Sequence, residues 1–386
     1  MTGVHRVAQE LANALAQLAG DQFEVWLPHD GTGRAATLHL PNKVIGPLRG
    51  IPWEQLTLPV VAGDRIVLNL CNIGPMLSRR AVTMIHDAQV HTAPASYSVG
   101  FRLWYKLVQP ILARRHRRIL TVSEYSRGQL IAAGLGSRDT ISVVHNGADH
   151  VLAVAAQPEI LPRLALPPRS YVVALAATQA HKNIRVLLEA FADPRLADLQ
   201  LVLIGGADPA EFGRAVGSPP ANVVFAGRVS DGELRALYEH ALCLAFPSTT
   251  EGFGLPPLEA MRVGCPAVVA PCGALPEVCG DAALYAEPHS PPAWQAAILE
   301  LAGDPAAWKR RSEAGRAHAA QFTWRRAAEQ VLSVLALERT SRSPSTTGPA
   351  STSLAAICWT PPTFRSAMST TGASRPRGLP RGCSGG

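Results

Sequence analysis

Between residues 171 and 304 the chain repeats one unit: a short, unbroken apolar run, then a turn, then a segment with helical spacing. The runs lie at 171–177, 200–204, 222–226, 242–246 and 267–270, and the helical segments at 183–192, 209–215, 231–240, 256–263 and 291–303. Half-buried antiparallel strands alternate apolar and polar residues, whereas these runs, beyond the leading Gln200 and Asn222, are continuously apolar, as strands covered on both faces are. Strands of that kind joined by helices predict a doubly wound α/β domain with a parallel sheet.

The first half repeats the theme less regularly. Phe23–Leu27, Ile66–Leu70 and Ala81–Asp87 read as buried strands, a helix is expected from Phe101 to Arg118, and the strand Arg118–Val122 follows. Ser123 is placed to cap a helix running to Ala133, and Ile141–Val144 precedes the turn former Asn146-Gly147. Val4, Val7, Leu11, Leu15 and Leu18 make the opening a helix, yet no strand precedes it, so this domain is expected to lack its first strand. At 386 residues the chain exceeds a single core. The expected division is a domain over 1–151, a linker over 152–170 with four prolines, a second domain over 171–320 and a helix over 321–339 that can cross back. Residues 340–386 lack periodicity and read as disordered, or as the product of a lost reading frame.

The formal net charge is +7, but five arginines of the tail (Arg342, Arg365, Arg375, Arg377, Arg381), with no acid beside them, leave the body close to neutral. The one basic cluster of the body is Arg114–Arg118, with Arg102 and Lys106 on the preceding turns. It reads as a solvated helix end or as a patch for anionic lipid headgroups. Nucleic acid is not expected, because no aromatic interleaving accompanies it. Seven scattered cysteines without C-x-x-C spacing read as small core residues in a reducing cytosol. No apolar run approaches the roughly 18 residues of a membrane span and no signal peptide is apparent, so a cytoplasmic protein, at most peripheral on the inner face of the membrane, is expected.

The chemistry gathers at Phe246–Met261. An apolar run ends at Phe246, a loop with Gly252 and Gly254 follows, and Pro256 or Pro257 opens a helix that Gly264 closes. Seven residues separate Glu251, in the loop, from Glu259, expected in the first helical turn. Loop amides and the helix dipole suit an anion, and ionised carboxylates accept hydrogen bonds from hydroxyls. A nucleotide sugar has both: diphosphate in the middle, ribose and hexose at the ends.

The same residues carry a resemblance. Glu251-Gly-Phe-Gly-Leu-Pro-Pro-Leu-Glu259-Ala-Met resembles the E-x7-E signature of the retaining glycosyltransferases of family four. Thr178-Gln-Ala-His181-Lys182-Asn183, Leu203-Ile-Gly205-Gly206, Phe225-Ala-Gly227-Arg-Val-Ser230 and Leu275-Pro276-Glu277 resemble further landmarks of that family, with Ala180 where a proline is usual. From Gly3 to about Leu337 the resemblance implies the GT-B fold, two Rossmann-like domains facing a cleft. It implies catalytic roles for Glu251 on donor-sugar hydroxyls, Lys182 on the diphosphate and His86, of the His86-Asp87 pair, near the transferred sugar. It implies donor contacts from Glu259 on the ribose, from His181, Gly252, Phe253, Gly254 and Leu255, and from Gly3, with the base near Arg228 and Val229. No metal and no cofactor are implied, since Lys182 and the helix N-terminus can take the charge of the leaving diphosphate. No nucleophile is named, because the family's retention resembles a front-face displacement assisted by the leaving phosphate.

The function so implied is transfer of a hexose, mannose or glucose, from a GDP- or UDP-linked donor to a saccharide or lipid-linked glycan in polysaccharide assembly. A phosphorylase or epimerase on the same fold, and an inactive binding relic, remain open at this point.

Overall fold

In a computed structural model, residues 3–29, 39–92, 97–176, 178–206, 212–213, 219–340 and 356–358 are described. Helix α1 (Gly3–Ala19) opens the described chain, with Val7, Leu11 and Leu15 buried at helical spacing. Then follow β1 (Glu24–Leu27), β2 (Asn42–Val44), a helical stretch from Gly50 to Ala62, β3 (Val67–Asn69), β4 (Ala81–Met84) and α2 (Val99–Arg115). The half ends with β5 (Arg118–Thr121), α3 (Glu124–Ala132) and β6 (Ile141–Val143). Ser123 caps α3, its hydroxyl accepting from the Ser126 amide at 3.0 Å.

The second half runs β7 (Tyr171–Leu175), α4 (Arg185–Phe191), β8 (Gln200–Ile204), β9 (Val223–Gly227), α5 (Asp231–His240) and β10 (Cys243–Phe246). It continues with α6 (Leu255–Arg262), β11 (Ala267–Val269), α7 (Leu275–Cys279), β12 (Leu284–Tyr285), α8 (Pro291–Gly303), α9 (Pro305–Ala319) and α10 (Trp324–Thr340). Its sheet is parallel in the order β12-β11-β10-β7-β8-β9. Strands β10 and β11 are buried at every position, as their unbroken apolar runs require. The expected helix over 209–215 lies largely outside the described residues.

The first sheet takes in three residues of the tail. Its order is β2-β1-β13-β3-β4-β5-β6, where β13 is Ala356–Cys358. Within a segment expected to carry no regular structure, three residues pair in parallel with Glu24–Trp26 on one side and Val67–Asn69 on the other. The place between β1 and β3 is thus taken by three residues from the far end of the chain. The other residues of the tail beyond 340 lie outside those described.

Two further expectations change. The proline-rich stretch 152–170 is not merely a spacer: Ile160 and Leu161, on the short helix Ile160–Arg163, are buried in the main core cluster. Helix α9 has no counterpart in the sequence reading, because the residues it buries are the small Ala307, Ser312, Gly315 and Ala319. Helix α10 returns to the first half, packing on α1, and its Glu338 meets Arg118 at 2.8 Å.

Candidate active site

The loop after β10 carries Glu251 into the cleft between the halves. Gly254, at φ +97°, turns the chain into α6, a conformation costly for residues with a Cβ, and Pro256 and Pro257 fill early helical positions where no amide bond is lost. Gly252 is needed for a different reason: a Cβ there would stand 2.7 Å from the His86 carbonyl oxygen and 2.9 Å from Asp87 Cβ. The two halves touch at that glycine. Its carbonyl accepts from Ser123 Oγ at 2.6 Å and Ser126 Oγ at 3.0 Å, and Ser126 also donates to the His86 carbonyl at 3.2 Å. Ser123, expected only as a cap, both caps α3 and crosses the cleft.

Lys182 and Glu251 meet at 2.6 Å, each mostly buried. Lys182 ends a tight turn, Ala180–Lys182, closed by Asn183 in the left-handed region at φ +52°. Asn183 is held by its side-chain amide, which donates to the Pro247 carbonyl at 3.2 Å and to that of Pro288 at 2.5 Å. The His181 carbonyl accepts from the Thr249 amide at 2.8 Å, so the lysine loop and the glutamate loop are tied together. Burial, reinforced by the positive charge of Lys182, lowers the basicity of the His181 imidazole. Phe253 is buried, its ring centroid 6.1 Å from that of Phe322. Leu255 opens α6.

Glu259 lies in the second turn of α6 rather than the first, on its buried side. There its carboxylate is 2.9 Å from His150 Nε2. Arg228 and Val229 follow β9, and the Arg228 side chain lies over Gly206. Just beyond them Ser230 and Glu233 form a reciprocal capping box on α5. Gly3 is the exposed first residue of α1, and a Cβ there would meet open space. Arg6, one turn on, does reach across, pairing with Asp231.

On the opposite wall His86 is buried, with Nε2 2.8 Å from the Leu70 carbonyl oxygen. A carbonyl only accepts, so Nε2 carries the hydrogen and Nδ1 is an acceptor. Burial pulls this imidazole down to about 4, the bond to Leu70 opposing only in part, so it is neutral at pH 7. Burial also raises the Asp87 carboxyl, with Glu251 adding to the effect, while its Oδ1 accepts from the Gln89 amide at 2.9 Å.

Two contacts were not visible from spacing. Glu277, on α7, accepts from the α3 amides of Glu124 at 2.8 Å and Tyr125 at 3.0 Å and lies 3.1 Å from His145 Nε2. His150, beyond Asn146-Gly147, joins Glu259. Sequence order gives no hint that residues this far apart meet.

The expected basic run divides. His116 is buried between Thr83 Oγ1 at 2.7 Å and the Pro75 carbonyl at 3.1 Å, and burial lowers it to about 4. Arg117 and Arg118 are engaged with Glu338, which leaves Arg114 as the exposed member. Among the described residues no helix is long and apolar enough to cross a membrane.

Residues 169–304, the half that builds the Glu251 loop, match the family model for glycosyl transferases group 1. The chain is 33% identical over 279 residues to O-antigen chain mannosyltransferase B of Escherichia coli, covering 68% of this chain and 72% of that protein. It is 25% identical over 259 residues to the O-antigen chain mannosyltransferase RfbU of Salmonella typhimurium, covering 64% and 68%. In fold it resembles Anabaena HepE, solved with UDP and glucose, at a TM-score of 0.66 and 20% identity over 86% of this chain and 96% of that one. Two parallel α/β domains meeting across a cleft at the E-x7-E loop, with this degree of likeness, place the chain plainly: it belongs to the group 1 glycosyltransferases and has the GT-B fold.

Proposed function

We propose that the chain moves a hexose, mannose or glucose, from a nucleoside-diphosphate sugar to a saccharide or lipid-linked glycan acceptor, with retention of configuration. The observation that carries this reading is the partly buried Glu251–Lys182 pair at 2.6 Å beside the N-terminus of α6. Glu251 would accept hydrogen bonds from hexose hydroxyls, while Lys182 and the α6 amides meet the diphosphate. As the anomeric carbon–oxygen bond breaks, its electron pair stays on the diphosphate, where these groups stabilise it. The acceptor oxygen bonds to the anomeric carbon, and its proton passes to the leaving phosphate oxygen, so a nucleoside diphosphate is released. Neutral His86, with Nδ1 an acceptor, can take a hydrogen bond from a sugar hydroxyl without placing a charge beside the reacting carbon.

The O-antigen mannosyltransferases among its relatives support mannose and surface polysaccharide, and the UDP bound to HepE supports a nucleotide in this cleft. Contact with the inner face of an anionic membrane is part of the proposal. Helix α2 exposes Val99, Leu103 and Leu107 at four-residue spacing, with Lys106 and Arg114 also exposed, a combination suited to acyl chains beneath anionic headgroups. The decisive experiment incubates GDP- and UDP-hexoses with glycan acceptors and follows nucleotide release and product anomer by NMR. Net retention with Glu251→Gln inactive supports the reading; nucleotide-sugar turnover undiminished in that variant overturns it.

A further inference from the structure

We propose that His150 is a positioning residue for Glu259, held in one tautomer by Trp324, and that this pair sets how strongly the site discriminates for the ribose of the donor nucleotide. The inference rests on the reading that Glu259 accepts from the ribose hydroxyls. His150 lies between two partners: Nδ1 is 3.0 Å from Trp324 Nε1, and Nε2 is 2.9 Å from Glu259 Oε1. An indole nitrogen can only donate, so Nδ1 must accept, and a neutral imidazole then carries its hydrogen on Nε2, aimed at the carboxylate. Both side chains are nearly buried, at 8% and 12% exposure, where an unmade hydrogen bond is costly.

The carboxylate so held has Oε1 engaged by His150 and Oε2 left as an acceptor for a ligand hydroxyl. Trp324 is itself fixed, because its backbone amide donates to Asp149 Oδ1 at 2.8 Å and the adjoining Phe322 carbonyl accepts from the Ala148 amide at 3.0 Å. The orientation of a carboxylate on α6 is therefore set by the first turn of α10, the helix that returns to pack on α1. Trp324 thus couples the crossing helix to the nucleotide end of the site through a single imidazole, and no charge is spent in doing so.

The test measures, by calorimetry on the full chain, the affinity of whichever of GDP and UDP binds more tightly, against its 2′,3′-dideoxy analogue. In the wild type the ribonucleotide should bind more tightly. Glu259→Gln should collapse that ratio. His150→Ala should collapse it too, weakening the ribonucleotide about tenfold while leaving the dideoxy analogue within about twofold. His150→Gln, whose amide can still donate to Glu259, should restore most of the ratio, and Trp324→Phe, which removes the indole donor together with part of the buried ring, should lie between. A merely structural role would weaken both nucleotides alike. If Glu259→Gln collapses the ratio and His150→Ala preserves it, the positioning role is overturned. If Glu259→Gln leaves the ratio intact, the ribose reading of Glu259 fails and the proposal falls with it, an outcome distinct from the first.

Discussion

The two halves of the molecule are built from the same parallel α/β unit but differ in where their essential pieces come from. The second half, which we propose binds the donor and call the donor half, is local: its sheet, the Lys182 turn and the Glu251 loop all lie between residues 171 and 285. The first half, which we propose presents the acceptor and call the acceptor half, is assembled from a distance, with β13 from the far end of the chain between β1 and β3, and with its cleft wall touching the donor half through Gly252 and Glu277. A site can therefore be fully specified on one side and still depend on remote sequence on the other. Substitution in the donor half should remove chemistry and spare the fold. Damage to the acceptor half should work through folding and closure.

The largest expected effect tests the first clause. Glu251→Ala should lower transfer by about 10²–10³-fold or more, the scale of losing a preorganised polar contact in a closed site. Because the second sheet does not depend on Glu251, thermal unfolding should stay within a few degrees of the wild type. A variant that unfolds early would place Glu251 in the structure rather than in the chemistry.

Removal of residues 341–386 tests the second clause. Strand β13 pairs through three residues with each neighbour, and ladder bonds are worth about 0.5–1.5 kcal/mol each, so several kcal/mol of local stability should go. Hydrogen exchange should quicken in β1 and β3 and stay unchanged in β7 and β8. Equal exchange in both halves would mean that β13 does not hold the first sheet together.

The contrast also explains what the sequence could reveal. Strands β7, β8, β10 and β11 were legible because burial on both faces leaves unbroken apolar runs, and the donor loop was legible because its polar groups are near neighbours in the chain. Strand β2 is exposed at all three positions and carries no such signal. Strand β13 is three residues within a Ser-, Thr- and Pro-rich stretch, and nothing local ties Ala356 to Glu24 and Val67. Helix α9 escaped because it packs through small residues, so no large apolar stripe marks it. His116 was read with a basic run because its neighbours in sequence are arginines, whereas its partners Thr83 and Pro75 are distant.

The buried histidines sharpen the comparison through pH. His86 and His116 both belong to the acceptor half, and burial holds each near 4 against an ordinary 6.5. With the folded value depressed, their stabilising contribution is complete above pH 6.5 and is lost as pH falls toward 4, because the unfolded chain takes up protons that the folded chain refuses. Each can account for roughly 3 kcal/mol across that window. Urea unfolding between pH 7 and 4.5, followed by exchange in β3 to β5, should show the acceptor half weakening first, and His116→Gln should flatten that decline. A donor half that weakens equally would contradict the assignment.

The smallest effect concerns closure. Glu277 reaches from α7 to the first amides of α3 and to His145, and although its burial works the other way, the bonds from His145, Glu124 and Tyr125 hold its carboxyl below the usual range. The contact is therefore intact at neutral pH and is lost only as pH falls through that depressed value. Glu277 is partly exposed, so its contribution to the closed form is about 1 kcal/mol, less than its three partners would suggest. Glu277→Ala should raise the radius of gyration in small-angle scattering at pH 7 and raise KM for the nucleotide sugar a few-fold. The bonds from Ser123 and Ser126 to the Gly252 carbonyl form a second tie across the same cleft, so Ser123→Ala with Ser126→Ala should add to the effect. If Glu277→Ala leaves the radius unchanged and the serine pair alone opens the molecule, closure is held at the donor loop itself and Glu277 only caps α3.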